Sequence, residues 1–248
     1  MQEKDFLSMF EVEKPVIGVL HCNGNSDQSI LDTAIREIHL YEEGGIDAIL
    51  VENYFCEPRQ TEMVLKYIAE NSGKLLYGVN LLGDDKLNFK LANEYNCDFI
   101  QIDSVCGHLA VADDEEYRAF IEDERKSCRA MLIGGVRFKY QPYLSGRSLN
   151  EDLELGKMRC DALAVTSEGT GIETNLEKII AFRERIGDFP LVIGAGVTPE
   201  NLQEQLTIGD ACIVGSYFKD EHNVEKMMNV NHIKKFMDAM DEFRKIER

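Results

Sequence analysis

The sequence predicts an α/β fold, a single-domain (β/α)8 TIM barrel with a parallel eight-stranded barrel, from three observations. Short β-branched apolar runs alternate with longer stretches of 3.6-residue apolar spacing. Eight of each fit within 248 residues, which is the size and rhythm of such a barrel. No linker-like, repetitive or low-complexity stretch divides the chain. An open doubly wound sheet shares the alternation and is the structural alternative; the count of eight favours closure. The expected organisation is an N-terminal segment, 1–14, covering the lower mouth, followed by a barrel domain, 15–248.

Taken in order, the strands are expected at 16–20 (VIGVL), 47–52 (DAILVE), 75–80 (LLYGVN) and 98–103 (DFIQID). Four more are expected at 131–139 (MLIGGVRFK), 161–166 (DALAVT), 190–194 (PLVIG) and 211–215 (ACIVG). The first helix carries Ile30, Ala34 and Ile38 on one face, with Leu31 and Ile35 alongside. Leu87, Leu91 and Tyr95 do the same in the third. Thr174 with Glu177 three residues on is a capping-box signature for the sixth. Thr198 and Pro199 fit N-cap and N1 of the seventh. Ile233, Phe236, Met240 and Phe243 give the last helix its core face.

Composition narrows the function. Lys and Arg total 27 against 45 Asp and Glu, a formal net charge of −18. So acidic a chain repels nucleic acid and anionic membranes, which need clustered cations. A small anionic ligand is still compatible, because exposed charges are screened beyond about 8 Å at physiological salt. The start of the chain lacks a basic n-region and an apolar h-region, and no apolar run is long enough to span a membrane. The expected location is therefore cytoplasmic. The seven cysteines include no CxxC pair, so no disulfide framework is expected. Cys22 beside His21 and Cys106 near His108 are weighed as metal ligands, but scattered Cys and His more often serve packing; no metal is expected.

In such barrels the active site lies at the C-terminal strand ends, and phosphate often sits after strands seven and eight. The stretch "VIGAGVTPENL" at 192–202 and "CIVGSYFK" at 212–219 put glycines at both places. Gly194 and Gly196 allow close backbone approach, and a helix starting near Thr198 would offer free N–H groups to an anion. With Val197, Gly215 and Ser216, they form the expected phosphate cradle. Either cluster alone is equally explained by a tight βα turn.

Alternation places the remaining candidates. Ile100 and Ile102 facing the helices turns Gln101 and Asp103 inward. Ile49 and Val51 outward turns Glu52 inward. Leu132, Val136 and Phe138 on the helix side leave Arg137 and Lys139 inside. Asn80 and Thr166 join them from strands three and six, with His21 and Asn53 following strands one and two. Glu52, Asp103 and Lys139 are the candidate catalytic groups; His21, Asn53, Asn80, Gln101, Arg137 and Thr166 are candidate substrate contacts. The competing explanation is an internal salt-bridge network, because unpaired charge inside a barrel is costly.

The same residues carry a resemblance. "YEEGGIDAILVEN" (41–53), "YGVNLL" (77–82), "DALAVTSEGTG" (161–171), "VIGAGVTPENL" (192–202) and "CIVGSYFK" resemble the BtpA/SgcQ family over about residues 14–220. The resemblance implies a TIM barrel related to the ribulose-phosphate-binding group. One branch of that family is associated with photosystem I assembly, and others accompany sugar-utilisation genes. The chain departs from the family at three strand ends. "LHCNGNSDQ" keeps only His21 of a proline-rich HLxPLPGSP-type stretch, and "IDSVCGHL" stands where an N-x-H-T-G-like segment is usual. Lys139 matches the lysine of a K-H-A-like motif, with "KYQ" here.

The leading expectation is an enzyme acting on a phosphorylated sugar or similar metabolite by acid/base isomerisation, epimerisation or retro-aldol cleavage. Glu52 or Asp103 would move a proton next to a carbonyl, with Asp103 the favoured base, while Lys139 stabilises the enolate or forms a Schiff base. No cofactor is implied; a flavin is conceivable in such a cradle, but nothing specifies its ring site. Two alternatives stay open: a nucleosidase or hydrolase on a phosphoribosyl compound, and a non-catalytic barrel that binds a metabolite or serves assembly. A homo-oligomer is a fold-level expectation only.

Overall fold

The computed structural model describes residues 5–71 and 73–246. Among those residues, eight parallel strands close into one barrel in chain order, with β1 pairing β8. They are β1 (Val16–Leu20), β2 (Ala48–Glu52), β3 (Leu76–Asn80), β4 (Phe99–Cys106), β5 (Met131–Val136), β6 (Ala162–Val165), β7 (Leu191–Ile193) and β8 (Ala211–Val214). Around them lie α1 (Asp27–Gly44), α2 (Pro58–Asn71), α3 (Asp85–Glu94), α4 (Val111–Ser127), α5 (Leu149–Arg159), α6 (Leu176–Ile186), α7 (Leu202–Leu206) and α8 (Val230–Ile246). The ring excludes the open doubly wound sheet.

Strands buried on both faces read as continuous apolar runs, and the two faces separate cleanly here. Ile17, Val19, Ala48, Leu50, Phe99, Ile133, Ala164, Val192 and Ile213 fill the barrel interior. Leu20, Ile49, Val51, Ile100, Ile102, Leu132, Leu163 and Ile193 pack beneath the helices. On α8, Ile233, Phe236, Met240 and Phe243 are all buried, as their spacing predicts. Before β1, a 3-10 turn at Phe6–Met9 delivers Phe6, fully buried, into the interior cluster. Burying one such ring contributes about 1.5–3 kcal/mol. Arg244 of α8 holds this segment by donating to Glu13 O at 2.8 Å and Lys14 O at 3.0 Å. Residues 1–4 of the expected N-terminal segment lie outside the described residues, as do 247–248.

Three local expectations are corrected. Alternation extends β5 to Lys139, but the strand ends at Val136 and Arg137 adopts a left-handed φ of 48°. That reversal turns Phe138 into the barrel interior instead of toward the helices and sends Arg137 outward. The sixth helix is capped by Asn175, whose Oδ1 accepts from Lys178 N at 3.3 Å. Thr174 is instead buried, donating its hydroxyl to Ala195 O at 3.0 Å.

The third concerns Thr198 and Pro199. Proline is as well suited to the second position of a β-turn as to the first of a helix. Here Thr198 O accepts from Asn201 N at 3.2 Å, a turn, and α7 begins only at Leu202. The Asn201 side chain then closes the loop: Oδ1 accepts from Thr198 N at 2.8 Å and Nδ2 donates to Gly196 O at 3.0 Å.

Candidate active site

A cavity of about 510 Å³ opens at the C-terminal ends of the strands. Its floor is built by three consecutive strands. Parallel register sets Glu52, the last residue of β2, beside Asn80, the last of β3. Next to them β4 carries Gln101 and Asp103. It runs on to Cys106 with a register shift against β5 after Ile102. Gly135 permits that shift, since a Cβ there would lie 2.0 Å from Asp103 O.

The polar groups of this floor are tied together. Asn80 Nδ2 donates to Glu52 Oε1 at 2.9 Å and to Asp103 Oδ1 at 3.1 Å. Gln101 Nε2 donates to the same Asp103 oxygen at 2.9 Å. His21, just past β1, brings Nε2 to 3.9 Å from Glu52 Oε2. Lys139 reaches the cavity from the β5–α5 loop, its backbone N–H fixed on Thr166 Oγ1 at 2.8 Å. The Gln101 Oε1 and His21 Nδ1 atoms are buried without a hydrogen-bond partner among the described residues.

Electrostatics sets the protonation of two of these groups. Burial, reinforced by the Asp103 charge, raises Glu52 to about 7, against the opposing effects of Lys139 and the Asn80 hydrogen bond. Burial, with the ammonium groups of Lys219 and Lys139, lowers His21 to about 3. At neutral pH His21 is thus an uncharged imidazole, and Glu52 is near half-protonation. A group that titrates near working pH is the one best able both to take and to return a proton.

Opposite the carboxylates, Gly194, Gly196, Val197, Thr198, Gly215 and Ser216 line the cavity. Two of their amides are committed within the protein: Gly194 N–H to Val165 O at 2.8 Å, and Thr198 N–H to Asn201. Gly196 needs its glycine, with φ at 73° and Ile172 O only 2.3 Å from where a Cβ would stand. The loop after β8 is rooted by Lys219, buried against Glu37 of α1 with Nζ and Oε1 2.5 Å apart.

Three sequence candidates stand elsewhere. Arg137 points away from the cavity: Nε meets Asp152 of α5 at 3.1 Å, NH2 donates to Arg147 O at 2.7 Å, and the guanidinium covers the Tyr143 ring. Asn53 Oδ1 accepts from Leu82 N at 2.6 Å, fastening two loops together. Thr166 is fully buried behind Lys139. The cavity also recruits side chains that the sequence did not single out, among them Tyr54, Tyr140, Thr170, Tyr217 and His222. Of these, Thr170 lies in the glycine-rich SEGTG after β6, Tyr217 in CIVGSYFK and Tyr140 in KYQ, segments the sequence marks without singling out these side chains.

Comparison with known proteins places this barrel. It is 23% identical to the photosystem I biogenesis protein BtpA of Synechocystis over 266 residues, covering 96% of this chain and 92% of that one. It is 24% identical to the putative sgc region protein SgcQ of Escherichia coli, covering 87% and 86%. Among solved structures, (S)-3-O-geranylgeranylglyceryl phosphate synthase of Thermoplasma acidophilum, in complex with its substrate sn-glycerol-1-phosphate, superposes with a TM-score of 0.64 at 12% identity. That match covers 97% of this chain and all of the other, and it speaks for the fold. The BtpA family model matches residues 12–242. The chain belongs to the BtpA family.

Proposed function

We propose that this barrel is an enzyme that moves a proton on a small phosphorylated metabolite, in an isomerase-, epimerase- or aldolase-type reaction. The observation that carries the reading is Glu52, held near neutrality by burial and Asp103 inside the cavity. The phosphate would sit against Gly196, Val197, Gly215 and Ser216. The ligand's carbonyl would point to Lys139, whose ammonium stabilises negative charge developing on that oxygen. Glu52 takes the proton from the neighbouring carbon and returns it, while Asp103 stays fixed by two amide donors. This reverses the assignment expected from sequence, in which Asp103 is the favoured base. A glycerol phosphate bound in a barrel of the same fold gives the ligand class independent support.

The test is exchange in heavy water. Triose to hexose phosphates are incubated with the protein in D2O and followed by proton NMR. Loss of the signal at the carbon next to the carbonyl is expected with the parent, and Glu52→Gln should slow it about 10²–10⁴-fold. Absence of exchange across the panel rejects the reading. Release of a free base from a phosphoribosyl compound instead would make the protein a hydrolase, and binding without turnover would make it a carrier or assembly factor.

A further inference from the structure

The proposed proton transfer uses no sulfur, yet two cysteines lie directly under its wall. Cys22 follows His21 at the end of β1, and Cys56 follows Phe55 in the loop between β2 and α2. Because β1 and β2 are neighbours, with Leu20 paired to Val51, the two loops run side by side and bring the two thiols close enough to influence each other. Cys22 is buried in the core, and the half-buried Cys56 packs against it.

The two sulfurs are not equivalent. Cys56 also lies 3.4 Å from Thr61 Oγ1 and stands just before the first turn of α2, where amide N–H groups favour negative charge. The neighbouring Cys22 thiol and the Thr61 groups lower the Cys56 thiol to about 7 despite burial and the adjacent Glu57. The neighbouring Cys56, burial and the nearby Glu37 and Glu52 raise Cys22. A thiolate that is partly accessible, backed by a protonated neighbour, is the arrangement found in oxidant-sensitive pairs.

We propose that Cys22 and Cys56 form a peroxide-sensitive dithiol, with Cys56 the attacking sulfur and Cys22 the resolving one. The Cys56 thiolate attacks one oxygen of hydrogen peroxide. An S–O bond forms, the O–O bond breaks, and the departing hydroxide leaves as water after taking a proton. The sulfur is oxidised by two electrons to a sulfenic acid. The Cys22 sulfur then attacks it, forming the S–S bond; the S–O bond breaks and a second water departs with the Cys22 proton. Two thiols and one peroxide thus give one disulfide and two waters, and an added dithiol reverses the change. The bridge would join the loops that carry His21 and Tyr54, whose rings meet edge-on at 5.3 Å.

The experiment uses the full chain and needs no substrate. One sample of native protein is pulse-labelled with iodoacetamide; a second, unlabelled sample is treated with hydrogen peroxide, then unfolded, alkylated and mapped by mass spectrometry. Cys56 is expected to label about tenfold faster than Cys128, the other half-buried cysteine. Peroxide is expected to remove two of the seven alkylatable thiols, joined as one Cys22–Cys56 peptide pair that dithiothreitol restores. Cys56→Ser should keep its six thiols under the same treatment, and Cys22→Ala should accumulate a dimedone-trappable sulfenic acid at position 56. Equal labelling of Cys56 and Cys128, or a peroxide-formed bridge between other cysteines, overturns the proposal.

Discussion

Glu52 and Asp103 share one amide donor: Nδ2 of Asn80 stands 2.9 Å from Glu52 Oε1 and 3.1 Å from Asp103 Oδ1. The two carboxyl groups are therefore fixed relative to each other from the strand between them, and the charge on one is felt by the other. Gln101 donates to the same Asp103 oxygen as Asn80, leaving Oδ2 of Asp103 and Oε2 of Glu52 to meet a ligand. His21 approaches Glu52 Oε2 as a neutral ring. The cluster is unlike a simple internal ion-pair network, in which opposite charges would neutralise one another.

Stability should reveal the Glu52 proton. The unfolded chain releases it near pH 4.5, whereas the folded protein holds it to about pH 7. Between those values the folded state binds the extra proton, so this group's contribution falls as pH rises through that window and stays reduced above it. Glu52→Gln keeps an acceptor for Asn80 and removes the penalty. Urea denaturation should show the variant about 2–3 kcal/mol more stable than the parent at pH 8, with little difference at pH 4.5. A variant less stable at pH 8 would instead mark Glu52 as part of a structural ion-pair network.

The anion site is best probed at Ser216. Any side chain at Gly196 would meet the Ile172 carbonyl and a backbone angle suited to glycine, so its replacement confounds binding with folding. Ser216→Asp places a carboxylate beside the glycines on the cavity wall. Affinity for inorganic phosphate, measured by calorimetry, should fall more than about tenfold from the added repulsion, with the melting temperature held. Undiminished phosphate binding would reject the cradle.

Arg137 should behave as a structural residue. Asp152, which it meets, has a side chain with no exposure, while Arg137 is 30% exposed. Arg137→Met leaves that buried carboxylate short of its cationic partner, at about 2–3 kcal/mol after allowing for solvent around the guanidinium. Thermal unfolding should show the loss, and phosphate affinity should stay unchanged. A large fall in affinity without destabilisation would return Arg137 to the list of ligand contacts.

Much of this was legible in the chain. Strand alternation placed Glu52, Gln101 and Asp103 inward because Ile49, Val51, Ile100 and Ile102 are unambiguous helix-facing residues. The method failed at the end of β5, where the backbone reverses at an arginine, a residue with no preference for left-handed conformation. At Thr198–Pro199 local chemistry suited both a helix start and a turn, and the choice fell to Asn201, whose side chain closes the loop. The sharing of Asn80 between two carboxylates depends on distances between three strands, which no single segment encodes. Tyr140 and His222 come from loops remote in sequence, and only closure of the barrel brings them to one rim.

Phe6 has a consequence for kinetics. With that ring wedged among Ile17, Ala48, Phe99 and their neighbours, the lower half of the barrel is a stopper of close-packed carbon. Among the described residues, the cavity that holds Glu52 opens at the other end, among the loops that follow the strands. If the proposed reaction takes place, product lodged there would have to leave before the next substrate could enter.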